Sequence, residues 1–521
     1  MIGGLMSFTK LCGSLAMLSL AICLNAKNPN QVNTKSGAVK GSMSADGKVR
    51  EFKGIPYAAP PVGPLRWKAP QPVTAWTTTL ETTKFGARCM QGNVYGDMGF
   101  RDDGPSENCL YLNVWTPVVE GKKHAPLPVM IWIYGGGYAA GATSEPRQDG
   151  EMLAKKGVVV VSMNYRLGVF GFLSHPGLAK EMGRNGSGNY GLLDQAAALE
   201  WVQKNIKAFG GDPGNVTIFG ESAGSFSVSG LMASPAGKGL FQKAIGESGA
   251  FFGTSLAVKP ASEAQLAGEK FAATVGASSI EELRAKTADE LLAAAMKDRG
   301  GFPVSVDGVF FTENPSATYA AGKQAHVPLL AGWNANEMGG GMMFGKDKPS
   351  VDLYKAKLQE RYNDNADKLF ELYPATSDEQ AVQAAGDLGS DMFIAYSTWK
   401  WIELQRTTGQ STVYRYEFDD APPMTPSRGA YHSAEIEFVF EALPSKKLDW
   451  RPEDTKLSDT MSTYWTNFAK TGNPNGEGAP PWPAYLVENG NPVMHLSFEP
   501  KAMPEQNRAR YEYLDKMLGN K

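Results

Sequence analysis

The chain has 521 residues, 42 % hydrophobic and 20 % charged, which excludes global disorder and allows a large buried core. Its 51 basic and 54 acidic residues leave a net charge of −3, which argues against nucleic acid as a partner. Four Cys exclude a disulfide-dense scaffold and argue against a Cys-rich metal site, and five His leave room for one titrating base.

Residues 1–10 carry one positive charge, and residues 11–24 are apolar but shorter than the roughly 20 residues of a bilayer span. Ala26 then gives way to a polar stretch. This pattern predicts a signal peptide over 1–26, a mature domain over 27–521, and export to the periplasm or the medium. No later segment combines enough length and apolarity to insert stably in a membrane. Once Cys12 and Cys23 leave with the signal, Cys89 and Cys109 remain. An oxidising compartment lets them pair, and two free buried thiols are the alternative.

Residues 39–115 read as short strands with Pro-rich connections. From Pro128 the pattern changes to unbroken apolar runs at 129–134, 157–163, 216–219 and 329–331. Runs without alternation predict strands buried on both faces, as in a mostly parallel sheet. Helical spacing falls between them, at 192–208, 262–275 and 279–296, with terminal helices at 458–471 and 505–517. The alternation predicts an α/β fold with crossover helices. The helix-rich insertion around 259–300 is placed to cap a pocket.

Gly220-Glu221-Ser222-Ala223-Gly224 follows the run 216–219 directly. A G-x-S-x-G segment between strand and helix is the setting of a nucleophile elbow, where small flanking residues let strand and helix approach. A serine nucleophile also needs oxyanion donors and a base. Gly135-Gly136-Gly137, after the strand at 129–134, offers unobstructed N–H groups, and Ala223 offers another. In this elbow class the acid and then the His follow the Ser, which sets aside His124 and His175 and leaves His326, His432 and His495. His432, in a polar loop, is favoured by position. Among many carboxylates, Glu337 follows an apolar run and Asp307 is its rival.

These segments carry a resemblance. Phe52-Lys53-Gly54-Ile55-Pro56-Tyr57-Ala58 and Ser106-Glu107-Asn108-Cys109-Leu110-Tyr111-Leu112-Asn113 resemble two signatures of the type-B carboxylesterase family, which includes the cholinesterases. Asn164-Tyr165-Arg166, the 220–224 elbow, and His432 followed by Glu435-Ile436-Glu437-Phe438 continue it, in collinear order over roughly 36–518. The resemblance implies an α/β-hydrolase fold with helical cap insertions. It implies hydrolysis of small-molecule carboxylic esters without metal or organic cofactor. It further implies Ser222 as nucleophile, His432 as base, Glu337 as acid, Gly136, Gly137 and Ala223 as oxyanion hole, and a Cys89–Cys109 disulfide. The chain departs from the family at Met338, where Gly is usual, and at Tyr138, where Phe is usual. No Trp lies between Cys89 and Cys109, so choline recognition by a cation–π contact is not expected.

Two other readings follow from the same sequence: a lipase, and a binding protein that keeps the scaffold without the chemistry. The intact Ser, His, Glu and Gly set weighs against the latter. Phe251, Phe252, Phe344, Trp399 and Trp401 offer apolar lining or plain core packing. The sequence carries no signal of oligomeric state.

Overall fold

The computed structural model describes residues 30–119, 125–298 and 301–519. The expected signal peptide and His124 lie outside the described residues. One 11-stranded sheet organises the rest. In chain order its strands are β1 (Ser42–Met43), β2 (Val49–Pro56), β3 (Tyr111–Pro117), β4 (Leu127–Ile133), β5 (Val159–Met163), β6 (Gly211–Glu221), β7 (Lys243–Glu247), β8 (Leu329–Asn334), β9 (Val413–Phe418), β10 (Pro492–Leu496) and β11 (Lys501–Pro504). In space they run β1-β2-β3-β5-β4-β6-β7-β8-β9-β10-β11. The strands from β5 to β10 are parallel. Both margins are antiparallel. Every residue of β5, β7 and β8 is buried, and burial on both faces is why apolar runs replace alternation. With helices flanking this mostly parallel sheet, the architecture is that of an α/β-hydrolase.

The main helices are α1 (Tyr190–Asn205), α2 (Ala223–Ala233), α3 (Ala261–Thr274), α4 (Ile280–Ala285), α5 (Ala288–Ala295), α6 (Asp378–Ser390), α7 (Tyr396–Thr407), α8 (Pro452–Thr471) and α9 (Arg508–Gly519). The single helix expected over 279–296 is two, α4 and α5. Thr287 starts the second with a capping box, its hydroxyl taking the Glu290 N–H while the Glu290 carboxylate takes its own. The helices between 341 and 407 had not been expected, and a π-turn at Asp391–Ala395 joins α6 to α7. Strand β7 was also missed. Its ends are charged residues, yet Glu247 is fully buried and accepts the indole N–H of Trp465 at 2.8 Å.

Two register matches set up the site. Gly220 of β6 pairs with Ile133 of β4, so the loops leaving these neighbours emerge side by side. Beyond β8 and β9, Asn336 bridges to Tyr431, which ties together the loops carrying Glu337 and His432. Ligands of open α/β sheets bind at this carboxyl end of the strands.

Cys89 and Cys109 form a disulfide with their Cα atoms 4.9 Å apart, closing a loop ahead of β3. A loop of this length is worth about 3 kcal/mol in the chain-entropy account. Replacing both Cys with Ala is therefore expected to lower the urea midpoint of unfolding by a corresponding amount, and an unchanged midpoint would show that the loop is held by other contacts. Among the described residues, no helix is long and apolar enough to cross a membrane.

Candidate active site

Ser222 sits at the sharp turn from β6 into α2, with φ 53° and ψ −124°. A Cβ on Gly224 would lie 1.9 Å from the Ile133 carbonyl oxygen, and one on Gly220 would lie 2.6 Å from it. No side chain fits at either position, which is the steric reason for the Gly-x-Ser-x-Gly spacing. The Ser222 N–H donates to the Glu247 carbonyl at 2.8 Å, so the turn is held from β7 as well.

The structure brings Ser222, His432 and Glu337 into one hydrogen-bonded line. Ser222 Oγ is 2.9 Å from His432 Nε2, and His432 Nδ1 is 2.5 Å from Glu337 Oε2. Glu337 is buried, and its Oε1 accepts the Asn334 N–H at 2.8 Å and the Ser248 hydroxyl at 2.5 Å. The carboxylate is thus fixed by three donors before any substrate arrives. The rival Asp307 is spent elsewhere, on the backbone N–H groups of Val309, Phe310 and Phe311. Of the other His, His326 meets a backbone carbonyl, His495 meets Asp419, and His175 caps a helix.

Gly136 and Gly137 follow β4 in positive-φ conformations. Among the described residues, their N–H groups and that of Ala223 at the start of α2 have no acceptor, as the first turn of a helix requires of Ala223. Gly136 and Gly137 border a chamber of about 800 Å³ that also exposes Ser222 and His432. Tyr95, Met98, Phe226, Leu256 and Phe393 supply its apolar and aromatic lining. None of the five aromatic residues offered by the sequence lines it. Phe251 packs on Phe226 and Tyr138, Phe252 on Tyr319, and Trp399 on Tyr511, while Phe344 and Trp401 are buried in the core. The two departures from the family are accommodated: the Tyr138 hydroxyl meets Ser227 at 3.0 Å, and the Met338 N–H donates to Ser390.

Sequence reading missed the electrostatic surroundings. Glu221, beside the Ser, is buried and lies 3.3 Å from His432 Nε2. Its place inside the elbow was the available signal. Burial disfavours a charged His432, but the carboxylates of Glu221 and Glu337 outweigh it and push the imidazole up to about 9. Burial raises Glu221 to about 7 and Glu247 to about 8. Glu435, fully buried and bonded to Asn334 Nδ2, is driven well above the carboxylate range by the same cause. Away from this site, donor atoms of Glu417, Asp419 and His495 lie within 4.8 Å of one another, as do those of Glu51, Asp149 and Glu151.

The sequence profile of the Carboxylesterase family matches residues 28–514. The fumonisin B1 esterase of Sphingopyxis macrogoltabida is 37 % identical over 501 residues, covering 90 % of this chain and 87 % of that protein. The para-nitrobenzyl esterase of Bacillus subtilis (strain 168) is 38 % identical over 475 residues, covering 88 % and 93 %. A solved PNB esterase superposes with a TM-score of 0.80 at 36 % identity, covering 93 % of this chain and 99 % of the other. A profile that runs through nearly all of the sequence, with identity of this order in the same fold, makes the chain a member of the carboxylesterase family and a hydrolase of carboxylic esters.

Proposed function

We propose that hydrolysis runs by a Ser–His–Glu triad through an acyl-enzyme, on esters of small to medium size. The observation that carries this reading is the unbroken line from Ser222 Oγ through the His432 ring to Glu337. His432 Nε2 takes the Ser222 proton as Oγ attacks the ester carbonyl. The new oxyanion is held by the N–H groups of Gly136, Gly137 and Ala223, which have no acceptor among the described residues. Glu337 keeps the Nδ1 proton in place and stabilises the imidazolium. The imidazolium then protonates the departing alkoxide, and the same steps run with water to release the acid.

The test is a p-nitrophenyl ester series from acetate to palmitate. Turnover that peaks at short or medium chains supports the reading, and a long-chain optimum replaces it with a lipase. Labelling of Ser222 by a fluorophosphonate separates both from a binding protein. Export of the mature chain is part of the same proposal, supported by the apolar leader and by a disulfide suited to an oxidising compartment. Cell fractionation that leaves the protein in the cytoplasm would overturn it.

The neighbouring acid gives a pH prediction. The base must be neutral to accept the Ser222 proton, so a raised imidazole pKa places the acid limb of kcat/KM above the ordinary 6.5. Glu221→Gln removes one of the raising charges. Its acid limb is expected at lower pH than that of the wild type, and coincident limbs would show that Glu221 does not couple to His432.

A further inference from the structure

The loop closed by Cys89 and Cys109 carries a polar atom without a partner over the oxyanion side of the chamber. Tyr95 is 40 % exposed, lines the chamber with Ser222, and its hydroxyl makes no hydrogen bond with any described residue. A Cβ built on Gly137 would lie 3.1 Å from Tyr95 Oη, so the phenol hangs directly beside the backbone of that glycine. The loop is not free to drift. The Gln91 side chain donates to the Gly141 carbonyl and accepts the Gly141 N–H, both at 2.9 Å, which ties it to the far end of the glycine loop. Burial and the charges of Glu221 and Asp97 raise the phenol's pKa, so it stays a neutral donor while His432 titrates.

We propose that Tyr95 is a further catalytic residue: its phenolic O–H donates a hydrogen bond to the ester oxygen that becomes the oxyanion beside Gly137. This rests on the acyl-transfer reading above. No proton leaves the phenol. The bond strengthens as charge develops on the oxygen and weakens when the carbonyl re-forms, so it acts on the transition state more than on the bound ester.

The experiment compares wild type and Tyr95→Phe on p-nitrophenyl butyrate, with a trifluoromethyl ketone as a probe that forms an oxyanion on Ser222. The expected result is a fall in kcat of about tenfold with KM within twofold, and a matching loss of affinity for the ketone; a fully enclosed donor is worth about 10²–10³. A Gln91→Ala variant, which loosens the loop, should lower kcat in the wild-type background and add nothing to Tyr95→Phe. An unchanged kcat, or a change in KM alone, overturns the proposal while leaving the esterase reading intact. A wild type that hydrolyses none of the esters and resists the fluorophosphonate removes both.

Discussion

Replacing Ser222 with Ala is expected to cut ester turnover by on the order of 10⁴- to 10⁶-fold and to abolish fluorophosphonate labelling. The size of the loss follows from what remains. The Gly136, Gly137 and Ala223 donors still bind a developing oxyanion, and His432 still sits over the site, but the acyl group has no oxygen to transfer to. The variant should fold normally. Ser222 occupies a left-handed turn that is imposed by the close approach of Gly224 to Ile133, not by its own hydroxyl. Its hydroxyl bonds to the imidazole at 2.9 Å, and Ala keeps the same Cβ in the turn, so thermal unfolding should move little. Turnover retained within tenfold in a pure preparation would move the nucleophile elsewhere.

Glu337→Gln is expected to lower kcat by about 10⁴-fold. The amide keeps the shape of the carboxylate but cannot satisfy its donors. Glu337 Oε2 faces the His432 Nδ1 position, and Oε1 faces two donors, the Asn334 N–H and the Ser248 hydroxyl. If the new NH₂ turns toward the ring, it favours the tautomer with its proton on Nε2, which cannot accept from Ser222. If it turns the other way, it opposes the Asn334 N–H in a buried place. Either orientation also removes the charge that stabilises the imidazolium. Steady-state kinetics should show the loss in kcat, and Asp307→Asn should leave it unchanged. The reverse pattern would exchange the roles of the two acids.

Much of this was legible because some residues, in their sequence context, favour one structural use. The Gly220 and Gly224 pair pointed to a tight strand-to-helix turn because an apolar strand precedes it, and the valine run at 158–161 pointed to a strand covered on both sides. The Ser, the Gly triplet and the order Ser–acid–His then narrowed the site to a few positions. What stayed hidden was set by tertiary neighbours. Strand β7 ends in Lys243 and Glu247, whose burial depends on partners such as Trp465 that lie far along the chain. The part of 341–407 that meets the site does so through distant partners, Ser390 accepting the Met338 N–H and Phe393 packing on the His432 ring. Glu337 itself was separable from Asp307 only through the family resemblance, since the two differ in what surrounds them rather than in local sequence. For the five aromatic residues the sequence left lining and core packing open for the same reason: composition says how much ring surface is available, not which rings face the chamber.

The uncharged buried carboxyls of Glu247 and Glu435 reach beyond the chemistry itself. Glu247 and Glu435 hold their protons in the fold to a pH at which they would be ionised in the unfolded chain. The folded state therefore binds more protons across the range from ordinary carboxylate values up to about 8, and stability declines as alkalinity rises through it. Turnover runs in the opposite sense, since the imidazole loses its inhibiting proton over the same upward sweep. The conditions that favour turnover and those that favour endurance thus draw apart, and the useful working range is a compromise set by a few buried side chains.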